Sequence, residues 1–205
     1  MIEPGIYKDV MGSFPSGVTV VTTLDADGAI VGITASAFSA LSIDPALVLF
    51  CPNYASDTYP ILRDSKQFAI HLLSAEQTAE AYAFAGKGKD KAKGVEWHLS
   101  ELGNPLLAKA TAIIECELWR EYDGGDHAII VGAVKNLVLP AEPVTPMVYH
   151  KGKLGAAAPW LNFENAGAAA RPFRDTRPLL QRIAVFCRSG LVSRKGRKAA
   201  PITPF

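Results

Sequence analysis

The run Val18-Thr19-Val20-Val21-Thr22-Thr23 constrains this chain more than any other feature. Valine and threonine branch at Cβ, which stiffens χ1 and suits a pleated strand better than a helix. Asp25-Ala26-Asp27-Gly28 supplies turn chemistry, and Ile30–Thr34 is apolar enough to return as a partner, so the two runs form a hairpin. Further strands are expected at Ala46–Cys51, after the Asp44-Pro45 break, and at Gln67–Leu73. Two long candidates follow. In the first, Ile114, Cys116 and Leu118 alternate with Glu115 and Glu117, which predicts one buried and one wet face. Gly124-Gly125-Asp126 turns the chain into the second, Ala128–Val138, and a short strand surrounds Met147–His150.

Helical signals are few. Ile6, Val10, Met11 and Phe14 recur at helical spacing over 4–14. Ser56 or Asp57 can cap a short helix over 57–65, and Ser74-Ala75-Glu76-Gln77 has capping-box spacing ahead of an apolar stripe at Ala75, Ala79, Tyr82 and Ala83. Six or seven strands joined mostly by turns do not match a parallel doubly wound sheet, in which helices alternate with strands. The expected fold is mainly β: an antiparallel barrel, closed to remove its edges, with small helices outside.

The 205 residues, 49% hydrophobic and 20% charged, can build one sizeable core. A net charge of +1 gives the whole molecule no electrostatic case for nucleic acid or an acidic membrane. The charge is unevenly placed: Arg171–Lys198 holds nine Lys/Arg and a single acid, Asp175, leaving 12 Lys/Arg against 19 Asp/Glu elsewhere. Residues 1–155 therefore read as one domain and 156–205 as a basic extension, with an apolar patch at Leu179–Phe186 that could dock as a short helix or on another subunit. Its role is open between a function of its own and a solvated terminus. Cys51, Cys116 and Cys187 form no C-x-x-C pair, and no clustered ligands suggest a metal. The N-terminus lacks the regions of a signal peptide, and no apolar stretch approaches membrane-spanning length, so a reducing cytoplasmic setting is expected.

Three segments carry residues suited to chemistry. Gly32–Ser42 places hydroxyls among small side chains, a wall against which a planar ligand can reach backbone groups; a polar loop between strands explains the same pattern. In Asn53–Thr58, hydroxyls stand where a helix is expected to start, suiting either a phosphate or simple capping, although Asp57 would repel phosphate unless it points away. The lysines at 87, 89, 91 and 93 could attract nucleotide phosphates or simply solvate a loop. Third, His127 opens a strand after Gly124-Gly125-Asp126, where an imidazole can face a cleft, although a turn histidine is the ordinary explanation. His71, His98 and His150 have no comparable setting.

In order, Phe14–Thr23, Gly32–Leu49, Phe68–Leu73, Gly125–Gly132 and Tyr149–Gly155 resemble the flavin reductase-like family, the FMN-binding split barrel of reductases that serve two-component monooxygenases. The resemblance spans about residues 8–155 and implies an antiparallel split β-barrel of Greek-key type with a few flanking helices. It implies an NAD(P)H-dependent reductase of FMN or FAD that supplies a partner flavin-dependent monooxygenase and works as a homodimer. Carried onto this sequence, Thr34, Ala35, Ser36, Ser39, Leu41 and Ser42 would line the flavin ring and ribityl chain. Cys51, Pro52 and Asn53 would continue the wall, with Ser56 and Thr58 toward the phosphate and Phe84, Lys89 and Lys91 closing over the site. Asp126 and His127 match the element associated with nicotinamide binding and hydride transfer, with His127 as the catalytic residue and Tyr149 nearby. Ala92 stands where an aromatic residue usually follows Asp-Lys, and Ala46 where a second proline is common. A split-barrel oxidase that keeps its flavin, or a non-catalytic flavin sensor or store, are the rival readings of the same residues.

Overall fold

A computed structural model of the chain describes residues 2–88 and 91–157. Lys89, the Leu179–Phe186 patch, Cys187 and nearly all of the expected basic extension lie outside the described residues. Helix α1 (Pro4–Gly12) leads into β1 (Ser16–Gly17), the hairpin β2 (Thr19–Leu24) and β3 (Ile30–Ala35), and a second hairpin β4 (Phe38–Ile43) and β5 (Ala46–Phe50). Then come α2 (Tyr59–Ser65), β6 (Gln67–Leu72), α3 (Thr78–Ala85), and the small pair β7 (Trp97–Leu99) and β8 (Pro105–Leu107). The long strands β9 (Ala112–Asp123) and β10 (Ala128–Val138) precede β11 (Met147–His150) and β12 (Lys153–Ala156).

Seven strands hydrogen-bond in the order β3-β2-β6-β9-β10-β5-β4, every neighbour antiparallel. The two edge strands, β3 and β4, follow each other in sequence with Ser36 and Ala37 alone between them. So short a link brings the two edges of the sheet together at one corner, while no ladder joins them further along. The result is a split antiparallel barrel. β11 joins β1 and β12 in a separate three-stranded sheet.

β2 explains its own composition, because it is buried on both faces. Val21 packs with Phe50, Phe68, Ile70, Cys116 and Ile130, whereas Val18 and Val20 pack on the opposite side with Leu73, Ala81, Phe84 and Met147. Strand side chains alternate between faces, so a continuous β-branched run is what two buried faces require. Phe50 and Phe68 meet edge-to-face, with ring centroids 5.4 Å apart.

Several expectations are corrected. The hydroxyl-rich stretch after Ala35 is not a loop: Phe38–Ile43 is a full edge strand paired with β5. Helix α1 forms, but its apolar positions are not packed in this chain. Ile6, Tyr7, Val10, Met11 and Phe14 are all exposed. The N-cap of α2 is Thr58 rather than Ser56 or Asp57, with no side-chain capping bond. Ser74 and Gln77 do interact, the Ser74 N–H donating to Gln77 Oε1 at 3.0 Å, but they close a turn, and α3 starts only at Thr78. Its buried residues are Ala81 and Phe84, not the Ala79–Tyr82–Ala83 stripe. Glu115, expected on a wet face, is fully buried, held by Ser100 Oγ, by Asn104 Nδ2 at 3.0 Å and by Asn136 Nδ2 at 2.8 Å. Among the described residues no helix is long and apolar enough to cross a membrane.

Candidate functional site

A cleft of about 600 Å3 opens beside β3. Its floor is Ile33 and Thr34 of β3. Phe84 and Ala85, at the end of α3, form one wall, which continues through Gly86, Lys87 and Lys91. The opposite wall is the segment between β5 and α2, which contributes Asn53, Ala55, Ser56 and Asp57.

Local chemistry builds each wall. Gly32 lets α3 lie close on β3, because a Cβ there would fall 2.7 Å from the Phe84 ring and 2.9 Å from the Val21 carbonyl oxygen. Thr34 Oγ1 donates to the Ala81 carbonyl at 2.7 Å and pins α3 in place. Across the cleft, Asn53 Oδ1 accepts the Ala55 N–H at 2.7 Å, closing an Asx turn that fixes the wall. Two aromatic–carboxylate bonds anchor that wall to the end of β9: Tyr54 Oη to Asp123 at 3.1 Å, and Tyr59 Oη to Glu121. The second raises the Tyr59 phenol to about 12, chiefly through its hydrogen bond to the carboxylate.

The turn before β10 reaches the same wall. Asn53 pairs with His127, the Tyr54 N–H donates to the Asp126 carbonyl at 3.1 Å, and the Ala128 N–H donates to the Pro52 carbonyl at 3.0 Å. Gly125 sits at φ +88°, where a side chain would be strained, so glycine is required for this turn. His127 Nδ1 lies 2.7 Å from Asp126 Oδ1. A carboxylate can only accept, so Nδ1 carries the proton and Nε2 keeps its lone pair. The same bond holds the Asp126 carboxyl below its ordinary range.

The cationic end of the cleft is unlike a solvated loop. Lys91 is buried, and Nζ donates to Asp57 Oδ1 at 2.8 Å, to Thr58 Oγ1 at 3.2 Å and to the Gly32 carbonyl at 3.3 Å. Asp57 thus points at Lys91 and also accepts the Gly88 N–H at 3.0 Å; the Lys91 bond, then the Gly88 bond, hold its carboxyl below the usual range. Thr58, 2% exposed, gives its hydroxyl proton to Gly32 O at 2.8 Å.

Of the residues singled out in the sequence, Thr34, Asn53, Ser56, Phe84 and Lys91 line the cleft together, and His127 with Asp126 borders it through Asn53. Ala35, Pro52 and Thr58 are buried behind the walls, and Cys51 is half-buried, its thiol pushed up by burial. Ser36 lies in the β3–β4 link, and Ser39, Leu41 and Ser42 lie on the edge strand β4, away from the cleft lining. Tyr149 sits on β11, packed against the cluster that holds Phe84 from behind. Ile33, Ala55 and Asp57, members of the two segments singled out in the sequence, also line the cleft, as do Ala85, Gly86 and Lys87. Of Ala85, Gly86 and Lys87, Lys87 alone carried a usable signal, its place in the lysine run. Among the described residues no group of three or more metal-ligating side chains forms.

An apolar floor, hydroxyl and amide groups at mid-cleft and two lysines at one end suit a planar ligand with an anionic tail. A sequence profile described as Flavin reductase like domain matches residues 11–158. The chain is 37% identical over 152 residues to the "Flavin-dependent monooxygenase, reductase subunit HsaB" of Mycobacterium tuberculosis (strain CDC 1551 / Oshkosh), covering 74% of this chain and 81% of that protein. A nitrilotriacetate monooxygenase component B homologue from Mycobacterium thermoresistibile superposes with a TM-score of 0.75 at 31% identity, over 86% of this chain and 96% of that one. The NADH:FAD oxidoreductase SgcE6 of Streptomyces globisporus C-1027, solved with NAD and FAD fragments, gives a TM-score of 0.71 at 34% identity, over 78% and 97%.

Proposed function

This chain belongs to the flavin reductase-like domain family, and from that membership we propose that it reduces FMN or FAD with NADH or NADPH and passes the reduced flavin to a partner monooxygenase. It is an NAD(P)H:flavin oxidoreductase. The observation that carries this reading is one cleft with an apolar floor, a cationic end and a carboxylate-held histidine at its border.

When bound, the flavin supplies the hydride-accepting ring that the protein itself lacks. The chain's residues then have separate tasks. Ile33, backed by the buried Phe84, would cover the ring and exclude water, and Thr34 and Asn53 would stand beside its polar edge. Asp126 holds the proton of His127 on Nδ1, so that the Nε2 lone pair would accept from the nicotinamide carboxamide N–H and align it. Ser39, Leu41 and Ser42 belong to the same site once a second copy covers β4, whose Leu41 and Ile43 are 49% and 71% exposed. The homodimer is thus part of the proposal, as is the division into a flavin-binding domain and an appended basic segment. β12 ends at Ala156 and the profile match at 158, which supports a boundary near there.

The test is anaerobic. Purified protein is given FMN and then NADH or NADPH, and flavin absorbance in the visible is followed. Bleaching that is catalytic in protein is expected. Tight flavin binding without bleaching would move the chain to a flavin store or to an oxidase that needs its own substrate.

A further inference from the structure

Two lysines line the cationic end of the cleft, and their surroundings differ. An ammonium group has three protons to donate. Lys91 has three acceptors, Asp57 Oδ1, Thr58 Oγ1 and the Gly32 carbonyl oxygen, and is buried among them. A ligand oxygen could engage Lys91 only by displacing one of these. The three acceptors belong to β3, to the 53–58 wall and to the cap of α2, so Lys91 ties its own loop to both sides of the cleft. Its charge is also already balanced by Asp57 at 2.8 Å.

Lys87 is exposed, lines the cleft, and among the described residues forms no ion pair. Ser56 lines the facing wall. Its Oγ accepts the Thr58 N–H at 3.2 Å, and its hydroxyl proton donates to no described group. With Asp57 neutralised by Lys91 and the Gly88 N–H, the charge left among the described residues lining this end is the Lys87 cation.

We propose that the two lysines divide the work: Lys91 is a positioning residue, a saturated strut that sets the shape of the cleft, and Lys87 with Ser56 recognises the flavin phosphate. The division rests on the flavin reading above, and deepens it. Lys87 is then the residue that makes the cleft prefer a phosphorylated flavin over bare riboflavin, and Lys91 treats both alike.

The experiment titrates the full chain with FMN and, separately, with riboflavin, following quenching of flavin fluorescence at low salt. Lys87→Met should weaken FMN binding by about tenfold, the scale of one charge-assisted hydrogen bond. Riboflavin binding should not change, so the preference for FMN collapses. Lys91→Met should weaken both ligands by a similar factor and lower the Tm, leaving the preference intact. Lys87→Met alters an exposed loop and decides the matter even where Lys91→Met does not fold. An unchanged FMN-to-riboflavin ratio in Lys87→Met overturns the proposal, as does a ratio lost only in Lys91→Met. Failure of the wild-type chain to bind either ligand removes the flavin reading itself, and the division with it.

Discussion

His127 gives one nitrogen to Asp126, and in the role proposed above its other nitrogen aligns the nicotinamide, so its effect should fall on one step. His127→Ala is expected to lower the rate of flavin reduction by NADH on the order of 10²-fold, the cost of losing alignment at a reacting centre. FMN affinity should stay as in the wild type, because the cleft lining does not include His127. Stopped-flow reduction and a flavin titration separate the two; equal losses in both would end this assignment. The Gly-Asp-His turn was legible because glycine at positive φ and a histidine at the head of a strand are local signals. Lys91 and Glu115 were not legible as buried groups. Lys91 lies within a run of lysine and glycine that reads as solvent-facing, yet its partner Asp57 comes from another part of the chain. Glu115 alternates with Glu117 as a wet face should, and only Ser100, Asn104 and Asn136, none adjacent in sequence, make its burial tolerable.

At the scale of elements, the contact of α3 with β3 shapes the cleft, and Gly32 sets its closeness. Gly32→Ala would place a methyl group against both the Phe84 ring and the Val21 carbonyl, and the backbone partner cannot rotate away. The expected result is a loss of about 1–3 kcal/mol, as in other overpacked sites, with weaker flavin binding because Phe84 is displaced. Thermal denaturation and an FMN titration check both. A variant with wild-type Tm and affinity would show that α3 can shift without consequence. The hairpin β2–β3 and the long pair β9–β10 were visible from β-branching, alternation and turn residues. β4 was hidden for a physical reason. Its two serines, Ser39 and Ser42, are three residues apart and break any alternation, and as an edge strand it buries little, so it carries no core signature. The helical spacing in α1 was real, but nothing in a periodic apolar stripe says whether the same chain covers it.

For the whole molecule, acid should be the harmful direction. His71 is fully buried, with Nδ1 3.0 Å from the Val20 carbonyl and Nε2 accepting the Leu107 N–H at 3.0 Å; burial lowers its pKa from 6.5 to about 4. Between those values the unfolded chain binds a proton that the folded chain does not, so stability falls as pH drops through this window, by on the order of 3 kcal/mol. Glu115 acts in the same sense. Burial raises its pKa, but the bonds from Ser100, Asn104 and Asn136 outweigh that, and its contribution is lost as the carboxylate protonates. The Tm should therefore decline steadily from pH 7 to pH 4.5 in a calorimetric series, and a flat profile would contradict it. The order of the strands has a further consequence, for synthesis. Phe50 of β5 pairs with Ile130 of β10, and Ala69 of β6 with Glu115 of β9. As the chain leaves the ribosome, β4 and β5 can fold on each other, but their second neighbour does not yet exist. Nascent chains stalled before residue 128 would hold an open, apolar sheet edge and depend on chaperones. Non-local pairing of this kind makes folding slow and late, with the barrel closing only when β10 is complete.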